Sequence, residues 1–192
     1  PEVRAASRYE GIVPRALLAL KNAGRTDLLP LLGEGLARSV YELLRARRAE
    51  IQHGSSAPVE VLLVPAPSSA QSMRRRGYAP ANLLAQEAVR QLNRRLPASV
   101  RVRAADVIGY VPRKQRGSGA SIISDAISGA QNEQKGLGAV ARSERMHEAL
   151  RVLEPTLVEE RLCIVCDDVV TTGATASEMV RVLQEAGSSV LG

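Results

Sequence analysis

The sequence predicts an α/β fold, a mainly parallel sheet flanked by helices. Three observations lead there. Val59-Glu-Val-Leu-Leu-Val64 is a nearly continuous apolar run, as expected of a parallel strand covered on both faces. Leu162-Cys-Ile-Val-Cys166 is a second such run, and it feeds through two acids and a short loop into a helical pattern. Amphipathic stretches precede and separate these runs, so strands and helices alternate along the chain. The 192 residues suit a single domain spanning 1–192, and 45% hydrophobic with 24% charged residues is a globular balance. Phe and Trp are absent and Tyr occurs four times, so the core must be aliphatic.

The part from 10 to 50 reads as helical. Over 10–23, Val13, Ala16, Leu17 and Leu20 share a face, Pro14 suits the first turn and Gly24 ends the helix. A second helix is expected over 28–48, capped by Asp27, with Leu32, Leu36, Val40 and Leu43 as its stripe. Residues 52–58 are a loop. The strand at 59–64 stops at Pro65-Ala-Pro-Ser-Ser69, and Arg74-Arg-Arg-Gly-Tyr78 follows. Residues 80–96 read as a helix with Ala81, Leu84, Ala88 and Leu92 inward and Pro97 as the stop. A strand is expected over 100–108. Residues 113–136 are polar, basic and rich in Gly and Ser, and 137–150 carry a weak helical pattern. The last elements are the strand at 162–166, a helix over 174–186 with Gly187 at its C-terminus, and a strand near 188–191. No internal repeat is present.

The net charge is +6, and only three of the 26 cations are lysines: Lys21, Lys114 and Lys135. Arginine suits phosphate-rich ligands through planar, bidentate contacts. Nucleic acid suits the charge as well, but stacking aromatics are scarce, with Tyr9, Tyr78 and Tyr110 as the candidates and Tyr41 inside a helix. Cys163 and Cys166 form a Cys-x-x-Cys, yet on an extended strand their Cα atoms lie about 10 Å apart and on opposite faces, which excludes a disulfide. They read as core residues. No apolar run approaches the roughly 20 residues that span a bilayer, and no signal peptide is visible, so a cytoplasmic protein is expected.

The segment that carries chemistry is Asp167-Asp-Val-Val-Thr-Thr-Gly-Ala-Thr175. Small and hydroxyl residues entering a helix N-terminus aim backbone N–H groups at one spot, where the helix dipole adds positive potential. That combination binds phosphate. The paired carboxylates at the strand end suit a sugar diol or Mg²⁺. The bland alternative is a strand–turn–helix with solvated acids. Other phosphate loops fit less well: no Gly-x-x-x-x-Gly-Lys-Ser/Thr occurs, and the pairs Gly33/Gly35 and Gly117/Gly119 lack a third glycine and a preceding strand.

The strand followed by Asp-Asp-Val-Val-Thr-Thr-Gly-Ala-Thr resembles the phosphoribosyl pyrophosphate (PRPP) signature of type I phosphoribosyltransferases. Val-Pro-Ala-Pro, then Arg74-x-Arg-Gly-Tyr78-x-x-Ala81 and a Leu/Ala helix, is similar to the ComF/GntX group of that fold. Lys21-Asn-x-Gly24 and Gln134-x-Gly-Leu137…Arg142 resemble further family segments. Tyr78 stands where the family has Phe, Ala79-Pro80 where it has Asn-Gln, and the Asn after Arg142 is missing. The Cys-rich, zinc-binding N-terminus of many members is absent.

The resemblance implies that Thr171, Thr172, Gly173, Ala174 and Thr175 hold the 5′-phosphate of PRPP. It implies that Asp167 and Asp168 are the catalytic acids, holding the ribose hydroxyls and, through ligand or water, Mg²⁺. Pro65, Ala66, Pro67, Ser68, Arg74 and Arg76 would face the pyrophosphate. Residues 113–136, with Arg113 and Lys114, would form a flap over the site. The implied activity is Mg²⁺-dependent transfer of phosphoribose to an unknown acceptor with release of pyrophosphate. The alternative is a non-catalytic PRPP- or nucleotide-binding module associated with DNA uptake and competence. Expected partners are PRPP or a related phosphorylated ribose, an indirect link to single-stranded DNA uptake machinery, and a second copy of the chain.

Overall fold

The organising strand is β1, Val59–Pro65, whose residues Val61 to Val64 are fully buried. Burial on both faces is what its unbroken apolar run demands, and each fully buried Val or Leu contributes about 1.5–3 kcal/mol relative to an exposed position. In the computed structural model, which describes residues 2–51, 58–112 and 148–192, β1 pairs in parallel with β2, Val100–Ala104, on one side. On the other side it pairs in parallel with β5, Leu162–Cys166, and β5 pairs in parallel with β6, Ser189–Val190. The sheet order is therefore β2-β1-β5-β6, every pairing parallel.

Helices α2, Leu29–Ala46, and α5, Pro80–Leu92, cover one face. Ala37, Val40, Leu43 and Leu44 of α2 and Ala85, Ala88 and Leu92 of α5 pack with Val61, Leu63, Val102 and Ile164. The two helices approach closely at Gly33, where an added Cβ would lie 2.5 Å from Glu87 Cγ. Helix α6, Ala174–Glu185, covers the other face through Met179, Val182 and Leu183 against Leu62, Val64 and Cys163. Cys163 and Cys166 thus belong to cores on opposite faces of the sheet, both buried and free, as the strand spacing requires. Helix α1, Val13–Ala23, packs separately through Leu17 and Leu20 against Leu84 and Val169.

Several expectations are corrected. The strand expected over 100–108 is two strands. β2 ends at Ala104, and β3, Ile108–Tyr110, turns away to pair antiparallel with β4, Leu150–Val152. Ala105, Val107 and Ile108 are drawn into the core on the α6 face, which breaks the alternation of β2. Of the weak helix expected over 137–150, residues 148 and 149 lead into β4, and the rest lies outside the described residues. Asp27 does not cap α2. Its carboxylate is held by Arg25 at 2.7–2.8 Å, and Thr26–Leu28 forms a 3₁₀ turn before the helix. The long second helix is broken at Arg47, with a short α3, Arg48–Ile51, beyond it. The helix after Pro80 ends at Leu92 rather than 96. An unexpected short helix, α4, Ala70–Arg76, follows the β1 turn, capped by Ser69 Oγ accepting from Ser72 N at 3.2 Å. Among the described residues no helix is long and apolar enough to cross a membrane.

Candidate functional site

The chain leaves β1 toward β2 on one side and leaves β5 through α6 toward β6 on the other. The carboxyl ends of β1 and β5 therefore flank a topological switch point, where the outgoing connections diverge and open a crevice. Pro65 and Cys166 are register partners, and Ala66 N donates to Cys166 O at 2.8 Å. The turn beginning Pro65-Ala66 thus departs beside the strand end that carries Asp167 and Asp168.

The segment after the acids is built as a cup of backbone N–H groups. Gly173 has φ +75°, a left-handed conformation open to glycine, and this bend starts α6. Ser177 N makes the first intrahelical bond, to Gly173 O at 2.8 Å. From Val169 to Ala176 the backbone N–H groups have one protein acceptor among the described residues, Thr172 Oγ1, which takes Ala174 N at 3.4 Å. Helix N-termini carry such unsatisfied donors and positive potential. Asp167, Thr171, Thr172, Gly173, Ala174 and Thr175, with Val169, Val170 and Ala176, line a shallow open cup with about 280 Å³ of empty space, part of it open to solvent. A Cβ added to Gly173 would meet nothing within 4 Å. Glycine is therefore required by the backbone bend, not by crowding from the protein.

The acids have contrasting surroundings. Asp168 N donates to Asp167 Oδ1 at 2.8 Å. Asp168 Oδ2 is 2.5 Å from Lys21 Nζ, and the Asp168 side chain is only 9% exposed. Burial, followed by the adjacent negative charge of Asp168, pushes the Asp167 carboxyl up from its ordinary 3.8 to about 7, with Lys21 opposing the shift. Two carboxylates this close repel, so added positive charge at the pair is strongly favoured. Burial also raises the Cys166 thiol, which excludes it as a ready thiolate.

Lys21 is the residue that the sequence reading left out of the site. It closes α1, which a hydrogen bond from Tyr78 Oη to Leu20 O ties to the turn between α4 and α5. The signal was present only as the Lys-x-x-Gly likeness; nothing local says that this lysine meets an acid so far along the chain. The same bond makes Tyr78 a tether of α1. Arg74 and Arg76 sit on α4 without a hydrogen bond or ion pair to any described residue, and the Arg76 Nε is buried and unpartnered. The structure brings Pro65 and Ala66 beside the acids but does not bring either arginine into contact with them. Pro67 and Ser68 complete the turn into α4, half-buried. Arg113 and Lys114, the flap at 113–136 and the Gln134…Arg142 segment lie outside the described residues.

The donor set fits Mg²⁺. Two hard carboxylate oxygens stand at one strand end, an ammonium already sits at one of them, and among the described residues no third acid, histidine or thiolate joins them. Mg²⁺ commonly binds through one or two carboxylates and fills its octahedron from water and ligand phosphates. No protein-family model matches the chain, and no curated protein matches it.

Proposed function

We propose that the chain is a type I phosphoribosyltransferase-like protein of the ComF type that binds PRPP with Mg²⁺ and transfers its phosphoribosyl group to an acceptor. The observation that carries this reading is one continuous edge. An acid pair, a cup of N–H groups that are mostly without an acceptor among the described residues, and the departing turn of β1 share the switch point of a parallel sheet. A phosphate, a diol and a second phosphorylated group at those three places describe a phosphorylated, pyrophosphorylated sugar.

In this reading Thr171 to Thr175 seat the 5′-phosphate, and Asp167 and Asp168 accept from the ribose hydroxyls. The acceptor attacks C1 as the C1–O bond to pyrophosphate breaks, and pyrophosphate leaves with the electron pair. Positive charge develops on the ring, and the acid pair, whose mutual repulsion any cation relieves, stabilises it. Mg²⁺, held through Asp167 and Asp168, supplies charge neutralisation for the leaving group. The turn from Pro65 to Ser68 faces that leaving group, together with Arg74 and Arg76, which have no partner among the described residues. Two buried free thiols suit the reducing cytoplasm.

Calorimetry with PRPP, with and without Mg²⁺, tests the reading, followed by a pyrophosphate-release screen over amine and base acceptors. The double change Asp167→Asn and Asp168→Asn is expected to lower Mg²⁺-dependent affinity at least tenfold, about 1.4 kcal/mol. Unchanged affinity in the folded double variant refutes the ribose site. Binding without turnover of any acceptor favours the non-catalytic module linked to DNA uptake.

A further inference from the structure

Lys21 reaches the acid pair from a different part of the fold. Its Nζ stands 2.5 Å from Asp168 Oδ2, and the carboxylate it meets is 9% exposed. This is not a loose surface pair, which would contribute little. The lysine is delivered by a helix fixed at both levels of structure: Leu17 and Leu20 pack against Leu84 and Val169, and Tyr78 holds the Leu20 carbonyl. Val169 directly follows Asp168, so the same packing that seats α1 also seats the acids.

We propose that Lys21 is a built-in counter-cation that occupies the cation seat of the acid pair in the ligand-free protein and competes there with a divalent metal. The inference rests on reading Asp167 and Asp168 as a cation- and diol-binding site. An ammonium and a hydrated divalent ion cannot both take the same buried carboxylate oxygen without mutual repulsion. Either ion alone satisfies it. Metal binding must therefore displace the Lys21 ammonium, which is 30% exposed and free to swing on its four-carbon stem. The consequence is a low affinity for metal alone. A ligand that brings its own phosphates adds anionic partners for both the metal and the released ammonium, so metal and phosphorylated ligand enter together. Lys21 thereby sets the selectivity of the site against free metal.

The test is Mn²⁺ binding, followed by electron paramagnetic resonance of the free ion, in buffer without PRPP. Lys21→Met keeps the stem and removes the charge, and it is expected to bind Mn²⁺ at least tenfold more tightly than the parent. Lys21→Arg keeps a cation and is expected to stay at the parent's affinity. Adding Asp168→Asn to Lys21→Met should erase the gain, which places it at this pair. Circular dichroism checks that each variant folds. Equal affinity of parent and a folded Lys21→Met, including no detectable binding by either, overturns the proposal, as does a loss of thermal stability without a gain in metal affinity. If Lys21→Met does not fold, an Mn²⁺ affinity of Lys21→Gln no higher than the parent's overturns it. A parent that fails to bind PRPP refutes the reading of the site as a PRPP pocket but leaves the metal comparison standing, so the two failures are distinct.

Discussion

Replacing Asp167 by Asn should stabilise the protein at alkaline pH and not at acid pH. The Asp167 carboxyl titrates near 7 in the fold and near 3.8 when free of it, because burial and then the Asp168 charge disfavour its ionised form. The folded state therefore holds this proton to higher pH than the unfolded chain does. Stability falls as pH rises through this interval and levels off above pH 7. A displacement of this size corresponds to a ceiling of about 4 kcal/mol, and relaxation and water entry at a partly exposed site bring the expected difference to about 2 kcal/mol. Asn is the same shape, stays neutral, and its Oδ1 still accepts from Asp168 N. The assay is urea unfolding of parent and Asp167→Asn at pH 3 and pH 8, with chelator present. At pH 3, below both titrations, the two should differ little. At pH 8 the variant should be more stable by about 2 kcal/mol, worth roughly 4–8 °C in melting temperature for a domain of this size. A difference between parent and variant that is the same at both pH values, or a variant less stable at pH 8, refutes the account of the acid pair.

Two further outcomes are expected. Gly173→Val forces a β-branched residue into a left-handed bend, at about 1–2 kcal/mol of stability, and should abolish binding of inorganic phosphate measured by titration; a folded variant that binds phosphate and PRPP like the parent would reduce the loop to a helix start. Tyr78→Phe removes the bond to the Leu20 carbonyl and should cost about 0.5–1.5 kcal/mol by thermal unfolding, with proteolysis increasing first around α1; unaltered stability and cleavage would show that the tether does not hold that helix.

Much of the fold is legible in the chain because its signals are local. The apolar runs at 59–64 and 162–166 are buried strands, and Ala81, Leu84, Ala88 and Leu92 face the core at helical spacing. Gly24 and Gly187 end helices in left-handed conformations, as glycine permits. The division of the 100–108 stretch was written in the phase. Val100, Val102 and Ala104 alternate on even positions, and the buried residues then shift to Ala105 and Val107. Such a change of phase marks a strand that leaves its sheet. The cup after the acid pair was legible because backbone donors, not side chains, form it. The Lys21–Asp168 pair was not, since its partners come from opposite ends of the chain and only the packing of α1 joins them. Arg25 likewise outcompetes the helix end for Asp27, a rivalry that a capping rule does not see.

The sheet order also governs how the chain is made. β1 lies between β2 and β5, yet about 100 residues of chain separate β1 from β5. At roughly 5–20 residues per second, a ribosome needs on the order of 5–20 seconds to supply that neighbour. For this interval Val61-Leu-Leu-Val64, the most apolar run in the protein, has one open edge and no α6 above it. An exposed apolar edge recruits other strands. The nascent chain should therefore be a chaperone client, its vulnerability ending when Leu162 to Cys166 emerge and close the edge.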